Sequence, residues 1–281
     1  MTYYPAYSSE IVRAALQEDV GTGDITTLAT VPADAQATAS VVAKEPGVIA
    51  GLPVLAEVYA QIDADISVSP VVEDGETVEA GRLICSIRGP AQGILTGERV
   101  ALNFLQRLSG IATRTARFVS LVEGTRARIV DTRKTTPGLR SLEKYAVRVG
   151  GGFNHRFGLY DAVLIKDNHI QACDGIETAV ARALATAPHT MTITVECDTL
   201  EQAQEALAAG ADMLLLDNMT PDQLSQAVEM AGGQVSLEAS GGVTEETVAA
   251  IAATGVDIIS VGALTHSARA LDISLDLELA K

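Results

Sequence analysis

The sequence predicts an α/β protein: an incomplete parallel α/β barrel joined to a smaller N-terminal α/β sheet domain. Three observations carry this. From about residue 127 onward, short apolar runs alternate with Ala-rich amphipathic segments. Nearly every one of those runs stops at a polar functional group. The first third of the chain lacks this rhythm and shows short β-like runs separated by turn signals. Strand–helix units repeated at this spacing mean parallel β structure. A length of 281 residues allows one barrel-sized domain or two smaller ones, and 47% hydrophobic residues can fill a large core.

Residues from about 10 to 17 read as a helix, and the polar segment Gly21–Thr27 as a loop. Thr38–Ala43, Ile66–Val72 and Leu83–Ile87 read as strands, with Glu73-Asp74-Gly75 and Ala80-Gly81 as turns between them. A long helical stretch follows. Thr96 is its candidate cap, and Val100, Phe104, Leu105 and Leu108 fall at helical spacing. Gly110 is expected to break it, leaving a second helix over Ile111–Val122.

The repeating part has six strand-like runs: Ala127–Asp131, Ala162–Lys166, Met191–Glu196, Met213–Asp217, Val235–Ala239 and Asp257–Val261. Helical segments include Thr199–Ala209, Pro221–Ala231 and Thr244–Ala253, with Thr199, Thr220 and Thr244 as N-caps and Gly210 and Gly255 as C-caps. The tail Leu271–Leu279 alternates apolar and polar residues strictly, the mark of a half-buried strand. A barrel core has no use for it, so it is predicted to return to the N-terminal sheet. The expected domains are therefore 1–110 completed by 270–281, and a barrel over 111–269.

The strand ends choose between a barrel and a doubly wound sheet. The runs terminate at Asp131 with Arg133 and Lys134, then Lys166, Glu196, Asp217, Glu238 with Ser240, and Gly262. An open sheet gathers its ligand at one switch point, whereas a barrel collects all its strand ends on one face. Functional groups after six strands favour the barrel.

Charge narrows the chemistry. The formal net charge is -16, yet seven of the 20 Lys and Arg residues fall within Asp131–His169. Concentrated positive charge on an acidic background suits a small, highly anionic ligand, and nucleic acid would need a broader basic surface. No apolar run is long enough for a membrane span, and the N-terminus lacks the pattern of a secretory signal. Cys85, Cys173 and Cys197, odd in number and scattered, suit a reducing cytoplasm and make neither a zinc site nor a disulfide framework.

Arg133 and Lys134 directly follow a strand, Lys166 ends another, and His155-Arg156 follows the flexible run Gly150-Gly151-Gly152. Several such groups on one barrel face could hold a di- or polyanion. The alternative for each is ordinary solvated charge, preferred for Lys144 and Arg148, which share a helical face near Glu143. Glu196 and Asp217 end otherwise apolar runs. They suit magnesium, sugar hydroxyls or a developing cation; the plainer reading is a pair of structural salt bridges. Ser240-Gly241-Gly242 and Gly262 offer backbone N–H groups where barrels often hold phosphate. His189 reads as surface, and His266 either lines the site or does not. Cys197 points away from Glu196 by strand alternation and reads as core.

With these segments on view, the chain closely resembles the quinolinate phosphoribosyltransferase family. The segments that carry the likeness are EDVGTGDITT, PGVIAG, GERVALNFLQRLSGIAT, the whole of Asp131–His169, VECDTL, LLLDN, LEASGG and VGALTHS. The resemblance implies an N-terminal α/β domain and a barrel of about seven strands. It implies a homo-oligomer, a dimer or hexamer. It implies transfer of phosphoribose from phosphoribosyl pyrophosphate to quinolinate with decarboxylation, giving nicotinate mononucleotide, pyrophosphate and CO2, with Mg2+. Under it, Arg133, His155, Arg156 and Lys166 match the quinolinate-binding positions, and Arg99 matches an arginine donated across the dimer. Lys134 matches a lysine near phosphoribosyl pyrophosphate, Glu196 and Asp217 match the acids of the ribose and metal side, and Ser240, Gly241 and Gly262 match the 5′-phosphate cradle.

Three rivals remain on the sequence. One is a related barrel of the molybdenum-transport-associated kind, against which the full set of four cationic positions weighs. One is a Schiff-base aldolase using Lys166, which leaves the many anion-binding groups without a purpose. One is a lipoyl- or biotinyl-type carrier hairpin over residues 74–89, a stretch that has no lysine to modify.

Overall fold

The structure, a computed structural model, describes residues 8–279. The extreme N-terminus, on which the reading of a missing secretory signal rests, and the last two residues of the tail lie outside them. By packing, the chain forms two compact units. Unit 1 holds the described residues up to Ala116, together with Thr135–Gly151 and the chain from Leu264 on. Unit 2 holds Arg117–Lys134 and Gly152–Ala263. The segment Thr135–Gly151, which lies inside the expected barrel span of 111–269, packs with unit 1.

Unit 1 begins with α1 (Ser8–Val20) and α2 (Ile25–Thr30). The second helix takes in Ile25–Thr27 from the expected loop Gly21–Thr27, while residues 21–24 remain turn and loop. Asp24 caps it, accepting the Thr27 N–H at 3.0 Å, and the Thr27 hydroxyl, with this N–H after it, lowers the Asp24 pKa below its ordinary value. Then come β1 (Gln36–Ala43), β2 (Gly47–Val48), α3 (Leu52–Ile62), β3 (Ser67–Pro70), β4 (Thr77–Val78) and β5 (Leu83–Pro90). The turn at Asp74 also starts α3: its carboxylate accepts the N–H groups of Gly51 and Leu52. Strands β1, β5 and β3 form an antiparallel sheet, and β2 pairs with β4. The β1 residues Ala37, Ala39, Val41 and Ala43 alternate as its buried face.

Next, α4 runs unbroken from Ala91 to Leu121. It passes through Gly110, so the expected break there is wrong, and Thr96 lies inside the helix rather than at its cap. The glycine answers to packing: a Cβ at Gly110 would sit 1.9 Å from the Arg269 carbonyl oxygen. Glycine in a helix interior costs about 1 kcal/mol, less than displacing that backbone would.

Unit 2 is built on six parallel strands: β6 (Arg128–Val130), β7 (Val163–Ile165), β8 (Ile193–Cys197), β9 (Met213–Asp217), β10 (Ser236–Ser240) and β11 (Ile258–Ser260). Their order is β6-β11-β10-β9-β8-β7. A seventh, one-residue strand position exists at Phe153, which bridges Val130 on the free side of β6. This accounts for six apolar runs in a barrel of about seven strands: the seventh is too short to leave a periodic trace. Between the strands lie α5 (Arg140–Val149), α6 (Asp167–Ala172), α7 (Ile176–Thr186), α8 (Leu200–Ala208), α9 (Pro221–Ala231) and α10 (Val248–Ala253). Of these, α5 belongs to unit 1. Thr199 and Thr220 cap α8 and α9 through their side chains, Thr220 in a reciprocal pair with Gln223. Thr244 is not a cap; the N-cap of α10 is Thr247, and Thr244 starts the turn before it.

The chain ends in unit 1 with α11 (Ala263–His266), whose first residue closes unit 2, and β12 (Ile273–Leu279). β12 pairs antiparallel with β1, from Ile273 opposite Ala43 to Leu279 opposite Ala37. It lies at the sheet edge, so the burial of its apolar face fades from Ile273 to an exposed Leu279.

Two further expectations change here. Lys144 is 1% exposed and Glu143 fully buried, so α5 is not the solvated surface its charges suggested; Arg148 alone of that group is exposed. Glu143 accepts from Arg107 Nη2 at 2.7 Å and from the Thr136 N–H at 3.0 Å. The run Gly150-Gly151-Gly152 begins as a helix end that packs closely. Gly150 closes α5, and a Cβ there would lie 2.4 Å from the Ala112 carbonyl oxygen.

Candidate active site

The strand registers of unit 2 put its polar groups in layers. Ile165 pairs with Val195, Glu196 with Leu215, and Leu215 with Glu238. Lys166, one residue beyond Ile165, therefore falls opposite Glu196. Paired residues share a face of the sheet and alternate residues take opposite faces. Lys166, Glu196, Leu215 and Glu238 thus form one layer. Asp217 and Ser240, themselves paired, form the next layer toward the strands' C-terminal ends. Cys197, Leu214, Leu216, Leu237 and Ala239 are buried on the opposite face. Burial pushes the Cys197 thiol up to about 12, in keeping with a core residue.

Lys166 Nζ is ion-paired with Glu196 Oε2. The lysine is placed by its own turn: its backbone N–H donates to His169 Nδ1 at 3.0 Å, and the His169 N–H donates back to its carbonyl at 2.8 Å. An ammonium committed to a carboxylate suits an electrostatic role better than the free amine of a Schiff-base enzyme.

His155 is held from several sides. Its backbone N–H donates to Asp131 Oδ1 at 2.9 Å, and Asp131 Oδ2 accepts from Asn154 Nδ2 at 2.6 Å. Asp131 has no exposed surface, so this strand-end carboxylate is scaffold and does not face a ligand. Ring Nδ1 accepts the Arg156 N–H at 2.8 Å. That leaves the ring proton on Nε2, which lies 3.4 Å from Glu238 Oε2. On a flat sheet the Phe153 position and β10 would be three strand spacings, or ~14 Å, apart. Side chains that meet across that gap require the sheet to curl on itself, so these layers face the inside of a barrel.

Arg156 Nη1 donates to the Ala162 carbonyl at 3.1 Å, while its Nε is buried with no hydrogen-bond partner. Burial, and after it the neighbouring Arg133 guanidinium, hold Arg156 below the usual guanidinium range, with Asp161 opposing. Asp161 also ties the loop between them, accepting the N–H groups of Phe157 at 2.6 Å and Gly158 at 3.0 Å. A buried donor left unpaired costs roughly 1–3 kcal/mol, more when charged. Two mutually repelling guanidiniums with such a donor make a receptor for an anion. Arg133 and Lys134 are exposed on the loop after β6.

On the acidic side, Asn218 Nδ2 donates to Asp217 Oδ2 at 2.7 Å, and the Asn218 N–H donates to the Ser240 carbonyl at 2.9 Å. Asn218 has φ 55, a left-handed backbone that asparagine tolerates. Gly241 is glycine for two reasons. Its φ is +88, and a Cβ would lie 2.2 Å from Asn218 Oδ1. Gly262 follows β11, the neighbour of β10.

Unit 2 therefore brings together Arg133, Lys134, His155, Arg156, Lys166, Glu196, Asp217, Ser240, Gly241 and Gly262. Arg99 is not among them: it lies on α4 in unit 1, 58% exposed, 4.0 Å from Glu98. His189 is exposed, and His266 is exposed in unit 1 beside Ser267. The residue-level reading missed Asn218 and Asn154, and it noted Glu238 as a strand-end group without giving it a role. Only Glu238 left a trace, a carboxylate two residues before Ser240 in an otherwise apolar run. Among the described residues no group of three or more His, Cys, Asp and Glu side chains converges as a metal cage.

Comparison with known proteins adds the family. The sequence model described as quinolinate phosphoribosyl transferase, N-terminal domain, matches residues 24–109, and that of the C-terminal domain matches 111–276. The nicotinate-nucleotide pyrophosphorylase [carboxylating] of Mycobacterium leprae is 49% identical over 95% of this chain and 96% of its own. The crystal structure of NadC from Streptococcus pyogenes superposes with a TM-score of 0.96 at 43% identity, covering 100% of both chains. That of the nicotinate-nucleotide pyrophosphorylase from Francisella tularensis gives 0.95 at 41% identity, covering 99% of this chain and 98% of its own.

Proposed function

The chain belongs to the quinolinate phosphoribosyltransferase family, and on that premise we propose how its side chains divide the work. The enzyme is a pentosyltransferase of NAD biosynthesis: it transfers the phosphoribosyl group of phosphoribosyl pyrophosphate to quinolinate with decarboxylation, forming nicotinate mononucleotide. In our reading Arg133, His155, Arg156 and Lys166 grip the two carboxylates of quinolinate. The observation that carries this is the buried, unpartnered Nε of Arg156 beside a second guanidinium. A carboxylate there supplies the missing acceptor and cancels the repulsion.

The held ring nitrogen attacks C1′ of the phosphoribosyl donor as the bond from C1′ to the pyrophosphate oxygen breaks. Positive charge develops on the ribose, and Glu196 and Asp217 face it. Lys134 faces the negatively charged donor. Ser240, Gly241 and Gly262 receive its 5′-phosphate, where turn N–H groups favour an anion. Glycosylation leaves the ring nitrogen cationic. The electron pair left at the adjacent ring carbon when CO2 departs is stabilised by that charge, and a proton then takes the carboxylate's place.

Mg2+ fits the same acids. Glu196 Oε1 and Asp217 Oδ1 accept no hydrogen bond among the described residues, while the second oxygen of each is occupied by Lys166 and Asn218. A hard cation takes such carboxylate oxygens and completes its shell from substrate oxygens and water. When bound, it would neutralise charge on the leaving pyrophosphate.

We further propose a homo-oligomer, a dimer or hexamer, in which Arg99 reaches a neighbouring subunit's quinolinate. Its exposure on a unit that carries none of the other site residues supports this. A cytoplasmic location is supported by three free cysteines; among the described residues no helix is long and apolar enough to cross a membrane. Purified protein given quinolinate, phosphoribosyl pyrophosphate and Mg2+ is expected to form nicotinate mononucleotide, and chelation of the metal to stop it. Folded protein that leaves quinolinate unconsumed would overturn the assignment, and turnover indifferent to chelation would remove the metal from it.

A further inference from the structure

Glu238 has no part in the reaction as divided above, yet it is buried in the barrel interior, 1% exposed. It stands in the layer of Lys166 and Glu196 and one layer below Ser240. Its Oε1 is buried with no hydrogen-bond partner, so the carboxylate meets the rest of the protein through Oε2, 3.4 Å from His155 Nε2. Two further bonds on His155 are local. Asp131 holds its backbone N–H, and the Arg156 N–H holds ring Nδ1. Neither fixes the ring against the barrel wall; Glu238, reaching from β10 across the interior, does.

We propose that Glu238 is a positioning residue for His155, which sets the ring's direction and keeps its proton on Nε2. The Arg156 amide excludes the proton from Nδ1, and the Glu238 carboxylate attracts it to Nε2, so both neighbours select one tautomer. Before substrate binds, Nε2–H points at Glu238. A quinolinate carboxylate then meets a donor that is already protonated and already aimed into the site. This rests on the reading that His155 binds quinolinate.

The test uses two readouts and three variants. Nitrogen-15 NMR of the ligand-free enzyme reports the tautomer of each histidine; there are four in the chain, and His155→Gln identifies the signal. Wild type is expected to show His155 as a single Nε2–H form, and Glu238→Ala a mixture or a shifted signal. In kinetics, losing a hydrogen bond made by a charged group corresponds to about tenfold or more. Glu238→Ala should raise the quinolinate KM by about that factor, with a much smaller change in the KM for phosphoribosyl pyrophosphate. It should add nothing further in a His155→Gln background. Glu238→Gln, whose amide oxygen still accepts from Nε2, should recover most of the loss, and it serves alone if the alanine variant fails to fold.

If His155→Gln leaves the quinolinate KM unchanged, the role given to His155 falls. If His155→Gln raises it while Glu238→Ala moves neither the NMR signal nor the KM, the positioning role falls and the parent reading stands. Additive effects in the double variant, or a Glu238→Gln variant as impaired as the alanine, would likewise overturn it.

Discussion

Two charged clusters draw on the same basic stretch of sequence, and they differ in how fully their polar atoms are satisfied. In unit 1, every nitrogen of the Arg107 guanidinium has an acceptor: Nε and Nη2 bond Glu143, Nη1 bonds the Ala268 carbonyl, and Nη2 also reaches the Thr265 carbonyl. Glu143 completes its own set with the Thr136 N–H. In unit 2, Arg156 Nε and Glu238 Oε1 are buried without partners, and Arg133 and Arg156 repel. A closed network has nothing left to bind with. An open one carries its deficit until a ligand arrives. Saturation of hydrogen bonds, rather than the count of charges, separates a structural cluster from a receptor.

The comparison breaks most readily at Glu143. Glu143→Ala leaves the largely buried Arg107 without its counter-charge and is expected to destabilise the protein by about 3 kcal/mol, read by urea unfolding. A loss under ~1 kcal/mol, the worth of a typical hydrogen bond, would mean the carbonyl bonds hold Arg107 unaided. Arg156→Ala should behave in the opposite way. Its quinolinate KM is expected to rise about 100-fold, while the unfolding midpoint stays level or climbs as the repulsion with Arg133 disappears. Destabilisation like that of Glu143→Ala would erase the distinction between the clusters.

Arg133→Ala sharpens the division inside the open cluster. It should raise the KM for quinolinate far more than that for phosphoribosyl pyrophosphate, and equal effects would show the cations to be wrongly partitioned. Arg99 belongs to neither cluster. Mixing Arg99→Ala and Lys166→Ala proteins should restore some turnover through hybrid oligomers; none, with subunit exchange verified, would confine Arg99 to its own chain. The smallest effect tests the faces of the barrel strands. Burial pushes the thiols of Cys85 and Cys197 up to about 12, whereas Cys173 is partly exposed. Native protein should therefore react with thiol reagent at Cys173 alone and unfolded protein at all three. Fast labelling of Cys197 would mean that it does not point away from the layer of Glu196.

Much of this was legible beforehand. Apolar runs with period-two tails, threonines at the starts of α8 and α9, and polar groups at the strand ends are local signals, written in neighbouring residues. Most of the errors came from contacts distant in the chain, and one from an unrecognised local cap. Gly110 read as a helix break because glycine is a poor helix former, but a carbonyl some 160 residues away in the chain occupies the space of its Cβ. Lys144 read as surface because it shares a helical face with Arg148 near Glu143, but α5 is enclosed on nearly every side. Gly21–Thr27 read as loop because its cap lies inside the polar run. Asp131 and Lys166 looked alike as strand-end charges, yet one is sealed by Asn154 and His155 and the other meets Glu196.

The amino-acid sequence by itself determined the class of fold, the alternation of strands and helices, the family likeness and the cationic and acidic residues at the strand ends, because each depends on periodicity or on residue type. The tertiary structure decided which charges are satisfied and which are left open. It set Arg107 against Glu143, left Arg156 short of an acceptor, and curled the sheet until His155 faced Glu238. Those outcomes depend on distances across the fold, and no local pattern encodes them.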